Sequence, residues 1–93
     1  MLDSHRVPKI VTDFFNDPPE YISPILDGRS WRFGKDIGNL QIVLDKDSLD
    51  DENPYLCYYW IHGSRGPEVE LYGGPDVRLA IRRAELIMRI LNA

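Results

Sequence analysis

The chain has 93 residues and a mass of 10.8 kDa, and this length predicts a single domain over residues 1–93. A hydrophobic fraction of 43% and a charged fraction of 28% exclude a disordered tail and a collagen-like repeat. The lone Cys57 excludes an internal disulfide framework, and the longest apolar run, Leu56 to Ile61, is too short to cross a membrane. The free thiol and the lack of an export signal predict a cytoplasmic protein.

Charge is distributed unevenly along the chain. Eleven Lys and Arg residues stand against fifteen Asp and Glu residues, which gives a formal net charge of −4. Nucleic acids and anionic membranes bind mainly through an excess of positive charge, so this balance disfavours both as partners. The acids concentrate between Asp45 and Glu52, whereas four arginines lie between Arg78 and Arg89. Arginine forms bidentate and stacking contacts that lysine cannot, which suits a contact surface.

The first predicted element is a helix within Leu2–Asn16, because apolar residues there follow a three- and four-residue spacing. Pro8 is tolerated only in the first turn of a helix, so the helix should begin close to it, with Ser4 as a candidate cap. The next segment, Pro18–Gly28, contains three prolines and cannot form a long helix. Four of its apolar residues predict one short turn against the core: Tyr21, Ile22, Ile25 and Leu26.

Two strands are predicted next from the alternation of apolar and polar residues. Ser30–Gly34 places Trp31 and Phe33 together on what we expect to be the inner face. Asn39–Asp45 alternates more clearly. Its inward residues are Leu40, Ile42 and Leu44.

The third strand, Tyr55–His62, is aromatic and carries large residues on both faces. One face holds Tyr55, Cys57, Tyr59 and Ile61, and the other holds Leu56, Tyr58, Trp60 and His62. After a hairpin loop at 63–66, Glu68–Tyr72 forms the returning strand. In that strand we expect Val69 and Leu71 to face inward, and Glu68, Glu70 and Tyr72 to face outward.

The last element is a helix that extends to Leu91, with Pro75 at its first position and Asp76 at its positive N-terminus. Its apolar stripe comprises Val77, Ala80, Ile81, Ala84, Ile87, Met88 and Leu91, and is widened by Leu79, Leu86 and Ile90. We therefore expect more than half of its girth to be buried. The whole order predicts an α+β two-layer domain: an N-terminal helix, an antiparallel sheet of three to four strands, and a C-terminal helix packed on one sheet face.

Catalytic patterns are weak in this sequence. His62 and Ser64 share a hairpin loop, where neighbouring side chains tend to point apart, and Cys57 lies in an apolar strand where a buried, inert thiol is expected. The Gly73–Asp76 segment leads into a helix, but the acid at its end favours capping over phosphate binding. The sequence therefore predicts a protein that is not an enzyme and that uses no cofactor.

The acidic loop, which contains Asp45, Asp47, Asp50, Asp51 and Glu52, has three interpretations. The three interpretations are a solvated loop, a calcium site and a negative patch that docks a basic partner. Calcium is disfavoured because Leu49 and Asp50 occupy places where an EF-hand loop needs an oxygen ligand and a glycine. We predict no metal site.

An exposed aromatic patch is the main candidate site. A two-layer domain covers only one sheet face, so Tyr58, Trp60 and Tyr72 are expected on the uncovered face. The alternative is that the Pro18–Leu26 segment folds over and covers them.

These observations predict a protein-binding module, namely a small acidic stoichiometric inhibitor or regulatory partner. Its binding residues would be Tyr58, Trp60, Tyr72, Asp47, Asp50, Asp51 and Glu52, and its partner a protein with a basic surface. A phage or mobile element is a plausible source, with a nucleic-acid-handling protein as the target; a homodimer through the same patch is an alternative. The second hypothesis is a nucleic-acid-binding domain that uses Arg78, Arg82, Arg83 and Arg89.

Overall fold

The computed structural model of the protein describes residues 7–16, 18–19, 21–22, 30–47, 50–63 and 66–91. In chain order these residues form α1 (Lys9–Phe15), β1 (Tyr21–Ile22), β2 (Trp31–Ile37), β3 (Leu40–Lys46), β4 (Tyr55–Ile61), β5 (Val69–Gly74) and α2 (Val77–Leu91). The strands make one antiparallel sheet in the order β1-β2-β3-β4-β5. The predicted α+β fold, with the C-terminal helix packed on one sheet face, is confirmed. No helix among the described residues has the length and apolar character that crossing a membrane requires.

Both helices pack on the same face of the sheet, and the core lies between these two layers. α2 contacts β4 and β5, whereas α1 contacts α2 and β2. The core residues of the three central strands alternate along the chain as predicted: Trp31, Phe33, Leu40, Ile42, Leu44 and Cys57. Such alternation is expected when one face of an antiparallel sheet is buried under helices.

α1 begins directly after Pro8, as the position of the proline predicts. The Pro8 carbonyl accepts a hydrogen bond from the Val11 N–H at 3.0 Å. The helix ends at Asn16, which has a left-handed φ of 58° and donates its N–H to the Thr12 carbonyl at 2.9 Å. The candidate cap Ser4 lies outside the described residues.

The short turn predicted at Tyr21 and Ile22 is wrong, because these residues form β1 and pair with Arg32 and Trp31 of β2. A strand of two residues is too short to show an alternating pattern, so only its pairing with β2 reveals it. The other two residues of the predicted turn, 25 and 26, lie outside the described part of the chain.

β2 extends three residues further than predicted and joins β3 through a tight turn at Gly38 and Asn39. Gly38 has a positive φ of 59°, which glycine adopts without the strain that a side chain would cause. The turn fixes the register in which Phe33 lies opposite Leu44, so both side chains enter the core.

β5 contains a bulge that reverses the predicted direction of Tyr72. Tyr72 lies opposite Cys57, but the next pair along is Glu70 with Tyr58, so Leu71 is the extra residue. Because the alternation is broken at this point, Tyr72 faces the helices and is only 9% exposed. The prediction that it faces outward is wrong.

α2 begins at Val77, two residues later than predicted, and Asp76 is its N-cap. The Asp76 carboxylate accepts hydrogen bonds from the N–H groups of Arg78 and Leu79 at 3.0 and 3.4 Å. Capping by Asp76 is therefore confirmed, whereas Pro75 precedes the helix and does not start it.

The apolar surface of α2 is only partly covered. Ala80, Ile81 and Ala84 are buried, but Leu86 and Ile90 are 52% and 58% exposed. The expectation that more than half of the helix girth is buried is wrong, because Leu86, Ile90 and also Leu91 are exposed.

Candidate functional site

The candidate site lies on the sheet face opposite both helices, which we call the outer sheet face. The strand registers align its described residues in rows across β2 to β5. These residues are Arg32, Gly34, Asp36, Gln41, Val43, Asp45, Leu56, Tyr58, Trp60, Glu70 and Gly73. Val43 and Tyr58 in the middle of this face are buried, whereas Leu56 and Trp60 are exposed on either side of Tyr58 along β4.

Two large apolar side chains of the outer sheet face are accessible. Trp60 is 37% exposed and Leu56 is 38% exposed, and both lie on the same side of β4. Because an extended strand rises about 3.3 Å per residue, their backbones are about 13 Å apart. The structure places Trp60 on the sheet face without helices, as predicted. Leu56 was assigned to the same strand face, but its role as a second exposed side chain was not recognised.

Tyr58 lies between these two residues but is only 8% exposed. Its ring centroid is 6.0 Å from that of Trp60, and its hydroxyl donates a hydrogen bond to Asp45 Oδ2 at 3.4 Å. Burial raises the pKa of Tyr58, and the negative charge of Asp45 raises it further. The expectation that Tyr58 is exposed is wrong: it is a packed support beside Trp60.

Asp45 is held in an ion pair on the outer sheet face. Arg32 Nε lies 2.6 Å from Asp45 Oδ1, and Arg32 Nη2 lies 3.3 Å from Oδ2. Such a bidentate pair fixes both side chains, and here it joins β2 to β3 beside Tyr58. Asp45 was predicted both as the last residue of the strand Asn39–Asp45 and as the first acid of the loop; it lies in β3, where Arg32 neutralises its charge locally.

Tyr72 is not part of the outer sheet face. Its hydroxyl accepts a hydrogen bond from the Asp76 N–H at 2.8 Å, and the Arg83 guanidinium lies 5.7 Å from its ring centroid. Arg83 also donates a hydrogen bond to the Leu71 carbonyl at 2.9 Å. Tyr72 therefore links β5 to the start of α2, and the aromatic group predicted as one patch is divided between two faces.

The acidic loop is an ordered turn in its described part. Asp50 Oδ1 accepts hydrogen bonds from the N–H groups of Glu52 and Asn53 at 3.2 and 2.9 Å, and the Asp47 N–H donates to the Pro54 carbonyl at 2.8 Å. Asp47, Asp50, Asp51 and Glu52 are all exposed. No group of three His, Cys, Asp or Glu side chains that could hold a metal occurs among the described residues.

The loop and the outer sheet face meet at a hollow of about 460 Å³. Leu56 and Gly73 line its apolar part, and Asp47, Asp50 and Glu70 contribute carboxylates. Of the four loop acids predicted to bind a partner, Asp47 and Asp50 line this hollow beside Leu56, whereas Asp51 and Glu52 are exposed in the same loop but do not line it. The acidic loop therefore adjoins Leu56, whereas Trp60 lies four residues further along β4, away from the loop.

The arginines of α2 lie on the helix side of the sheet, away from the outer sheet face. All four are exposed, but Arg83 is held against β5 by its contacts with Leu71 and Tyr72. Arg78, Arg82 and Arg89 form no ion pair with another described residue.

The groups with the strongest chemical reactivity are buried or widely spaced. Cys57 is fully buried as predicted, and burial together with the charge of Asp45 raises the pKa of its thiol to about 12. His62 Nε2 lies 3.1 Å from Asp36 Oδ1 at the exposed end of β4. Ser64 lies outside the described residues.

One cavity was not predicted from the sequence. A groove of about 670 Å³ runs between α1 and α2, with Ile10, Phe14, Ile81 and Met88 as its apolar walls. Lys35 reaches its end and donates a hydrogen bond to the Phe14 carbonyl at 2.8 Å. The groove depends on how two distant helices meet, so no local pattern signals it.

Comparison with protein-family models, with curated proteins and with solved structures found no significant match. The function is therefore argued from the geometry of the chain itself.

Proposed function

We propose that this protein is a non-enzymatic protein-binding module that acts as a stoichiometric inhibitor or regulator of a partner with a basic surface. The observation that supports this most directly is the exposed Trp60 on a sheet face that both helices leave uncovered. Tryptophan is enriched among the residues that dominate binding energy at protein interfaces.

Rigidity of the surface around Trp60 supports the proposal. The Trp60 ring packs beside the buried Tyr58, and the Arg32–Asp45 ion pair joins the neighbouring strands. A side chain held in place by its neighbours loses little conformational entropy on binding, so more of its contact energy contributes to affinity.

The acidic loop determines the chemistry of the partner in this proposal. Its exposed carboxylates adjoin Leu56, so a partner that covers both needs positive charge beside an apolar contact. Proteins that handle nucleic acid carry basic surfaces of this kind, and one of them is the target class that we propose.

Site-directed photo-crosslinking tests the proposal. A benzoylphenylalanine placed at Leu56 leaves Trp60 intact and should capture one major protein from nuclease-treated host extract. The same group at Leu86, an exposed apolar position on the opposite side of the molecule, is the matched control. The captured protein should then bind the purified chain with one-to-one stoichiometry in titration calorimetry.

Trp60→Ala should weaken that binding by more than about 2 kcal/mol, the usual size of a dominant interface residue. Asp50→Asn and Asp51→Asn should mainly slow association, because exposed charges act on the encounter rate. Capture that disappears with nuclease treatment, or binding that Trp60→Ala does not change, would refute the proposal. A sedimentation equilibrium that Trp60→Ala shifts from dimer to monomer would instead indicate self-association.

A further inference from the structure

The outward side of α2 carries apolar side chains that do not pack against the core. Leu86 is 52% exposed and Ile90 is 58% exposed, and they lie one helical turn apart on the same surface of the helix. Neither belongs to the core cluster or to the residues that pack against it. Exposed apolar pairs on a helix are unfavourable in water unless a second surface covers them.

Unpaired arginines flank these two residues. Arg82 precedes Leu86 by four residues and Arg89 follows it by three, so both side chains border Leu86 on the helix surface. Arg82 and Arg89 form no ion pair with another described residue, and Glu85 is the single acid of the helix. We call this surface, consisting of Arg82, Leu86, Arg89 and Ile90, the α2 outer stripe.

We propose that the α2 outer stripe binds an acidic amphipathic helix of a partner protein. Leucine-like side chains of such a helix would cover Leu86 and Ile90, while its carboxylates would pair with Arg82 and Arg89. Both the apolar and the charged residues of the stripe would then contact groups of matching chemistry.

Nucleic acid satisfies only the charged half of the stripe. A phosphate backbone offers no apolar surface that could cover Leu86 and Ile90. A second copy of the chain satisfies only the apolar half, because two facing α2 helices would bring their arginines together. An acidic helix is the occupant that meets both requirements.

This surface is independent of the outer sheet face, since the sheet itself lies between them. Arg83 contacts Leu71 and Tyr72 on the helix side, which fixes α2 against β5 with Leu86 and Ile90 further along the helix. If both surfaces bind, the chain brings a basic partner and an acidic partner together on opposite sides of one sheet.

A stapled helical peptide tests the inference. The probe carries leucines at four-residue spacing flanked by glutamates, and the comparison peptide has lysine at every glutamate position. Fluorescence anisotropy should detect salt-sensitive binding of the acidic peptide to the full chain and none of the basic peptide. Arg82→Glu with Arg89→Glu, and separately Leu86→Ser with Ile90→Ser, should each weaken binding by at least about tenfold.

Two control variants separate this surface from others. Lys9→Glu reverses another exposed cation, and Trp60→Ala removes the exposed ring of the outer sheet face; neither should change peptide affinity. Melting temperatures of the α2 and Lys9 variants should stay close to that of the parent chain, because those side chains are exposed.

Three results would overturn the inference. The first is no binding of the acidic peptide at millimolar concentration. The second is tighter binding of a 20-base-pair duplex, weakened only by the arginine variant, and the third is a dimer that Leu86→Ser with Ile90→Ser converts to a monomer. None of these results bears on binding through Trp60, so the two proposals fail separately.

Discussion

Tyr58 and Tyr72 lie on neighbouring strands and are almost equally buried, yet they lie on different faces of the sheet. Tyr72 is covered by a second layer, since it belongs to the core under the helices and its hydroxyl contacts the start of α2. The described contacts of Tyr58 come from within its own layer, namely Trp60 and Asp45. On the described part of that face Trp60 and Leu56 are accessible, and residues 23–26 of the segment considered as a cover lie outside the described residues.

The largest expected effect distinguishes the covered side of α2 from its outward side. Ile81 is 1% exposed, so Ile81→Ala should lower the free energy of unfolding by about 2–4 kcal/mol. Leu86→Ala on the exposed side should change it by less than about 0.5 kcal/mol. Thermal or urea unfolding of the two variants measures the difference. Equal losses would mean that α2 presents a different side to the sheet.

The second prediction concerns the contact between β5 and the Tyr72 ring. A Cβ atom added at Gly74 would lie 2.5 Å from the Tyr72 hydroxyl and 2.8 Å from the ring carbon that bears it. Gly74→Ala should therefore force Tyr72 to move and destabilise the fold by about 1–3 kcal/mol. Gly73→Ala is the matched control, since its Cβ would approach only the flexible Glu70 carboxylate, at 3.5 Å. If Gly74→Ala and Gly73→Ala had the same melting temperature, Tyr72 would not be fixed where the structure places it.

The third prediction compares the two tyrosine hydroxyls directly. Tyr72→Phe removes the acceptor of the Asp76 N–H at 2.8 Å, and an unpaired, partly buried N–H costs about 1–2 kcal/mol of stability. Tyr58→Phe removes only a long hydrogen bond of 3.4 Å to an accessible carboxylate, so its loss should be under about 0.5 kcal/mol. Urea titrations of both variants give this ranking, and a reversed order would contradict the assignment of layers.

The smallest effect is the pH dependence that Tyr58 contributes. Burial and Asp45 raise its pKa, so folding favours the protonated phenol. This contribution is fully present below the pKa of an unfolded tyrosine, about 10, and is lost as the pH rises through the raised folded value. Asp45→Asn should lower the pKa of Tyr58, because it removes the negative charge that, after burial, contributes most to raising it. Tyrosinate absorbance of the parent, Asp45→Asn and Tyr58→Phe chains locates the transition.

Alternation and turn residues predicted most of the fold, because they are local. Trp31 and Phe33 lie two residues apart in an otherwise polar strand, and burial of one sheet face makes that spacing meaningful. β1 was missed because two residues are too few to show an alternation of apolar and polar side chains. Tyr72 was assigned to the wrong face because a bulge adds one residue, and no local pattern in β5 indicates it.

The candidate site was predictable only in part. The exposure of Trp60 was predictable because β4 carries large residues on both of its faces. The exposure of Asp50 and Asp51 was predictable from their position in a polar loop. The pairing of Asp45 with Arg32 depends on the register between two strands, which brings together residues that are distant in sequence. Leu86 and Ile90 were predicted to be buried because a helical period alone does not say how many layers contact the helix.

The bond from Arg83 to the Leu71 carbonyl has a consequence for aggregation. β5 is the last strand in the sheet order, and such a strand can template the addition of an extended chain through its free backbone groups. Here a guanidinium already occupies one of those carbonyls, next to a bulge that disturbs the regular spacing of the others. A second chain would have to displace Arg83 before it could extend the sheet, so this edge resists the polymerisation that leads to fibrils.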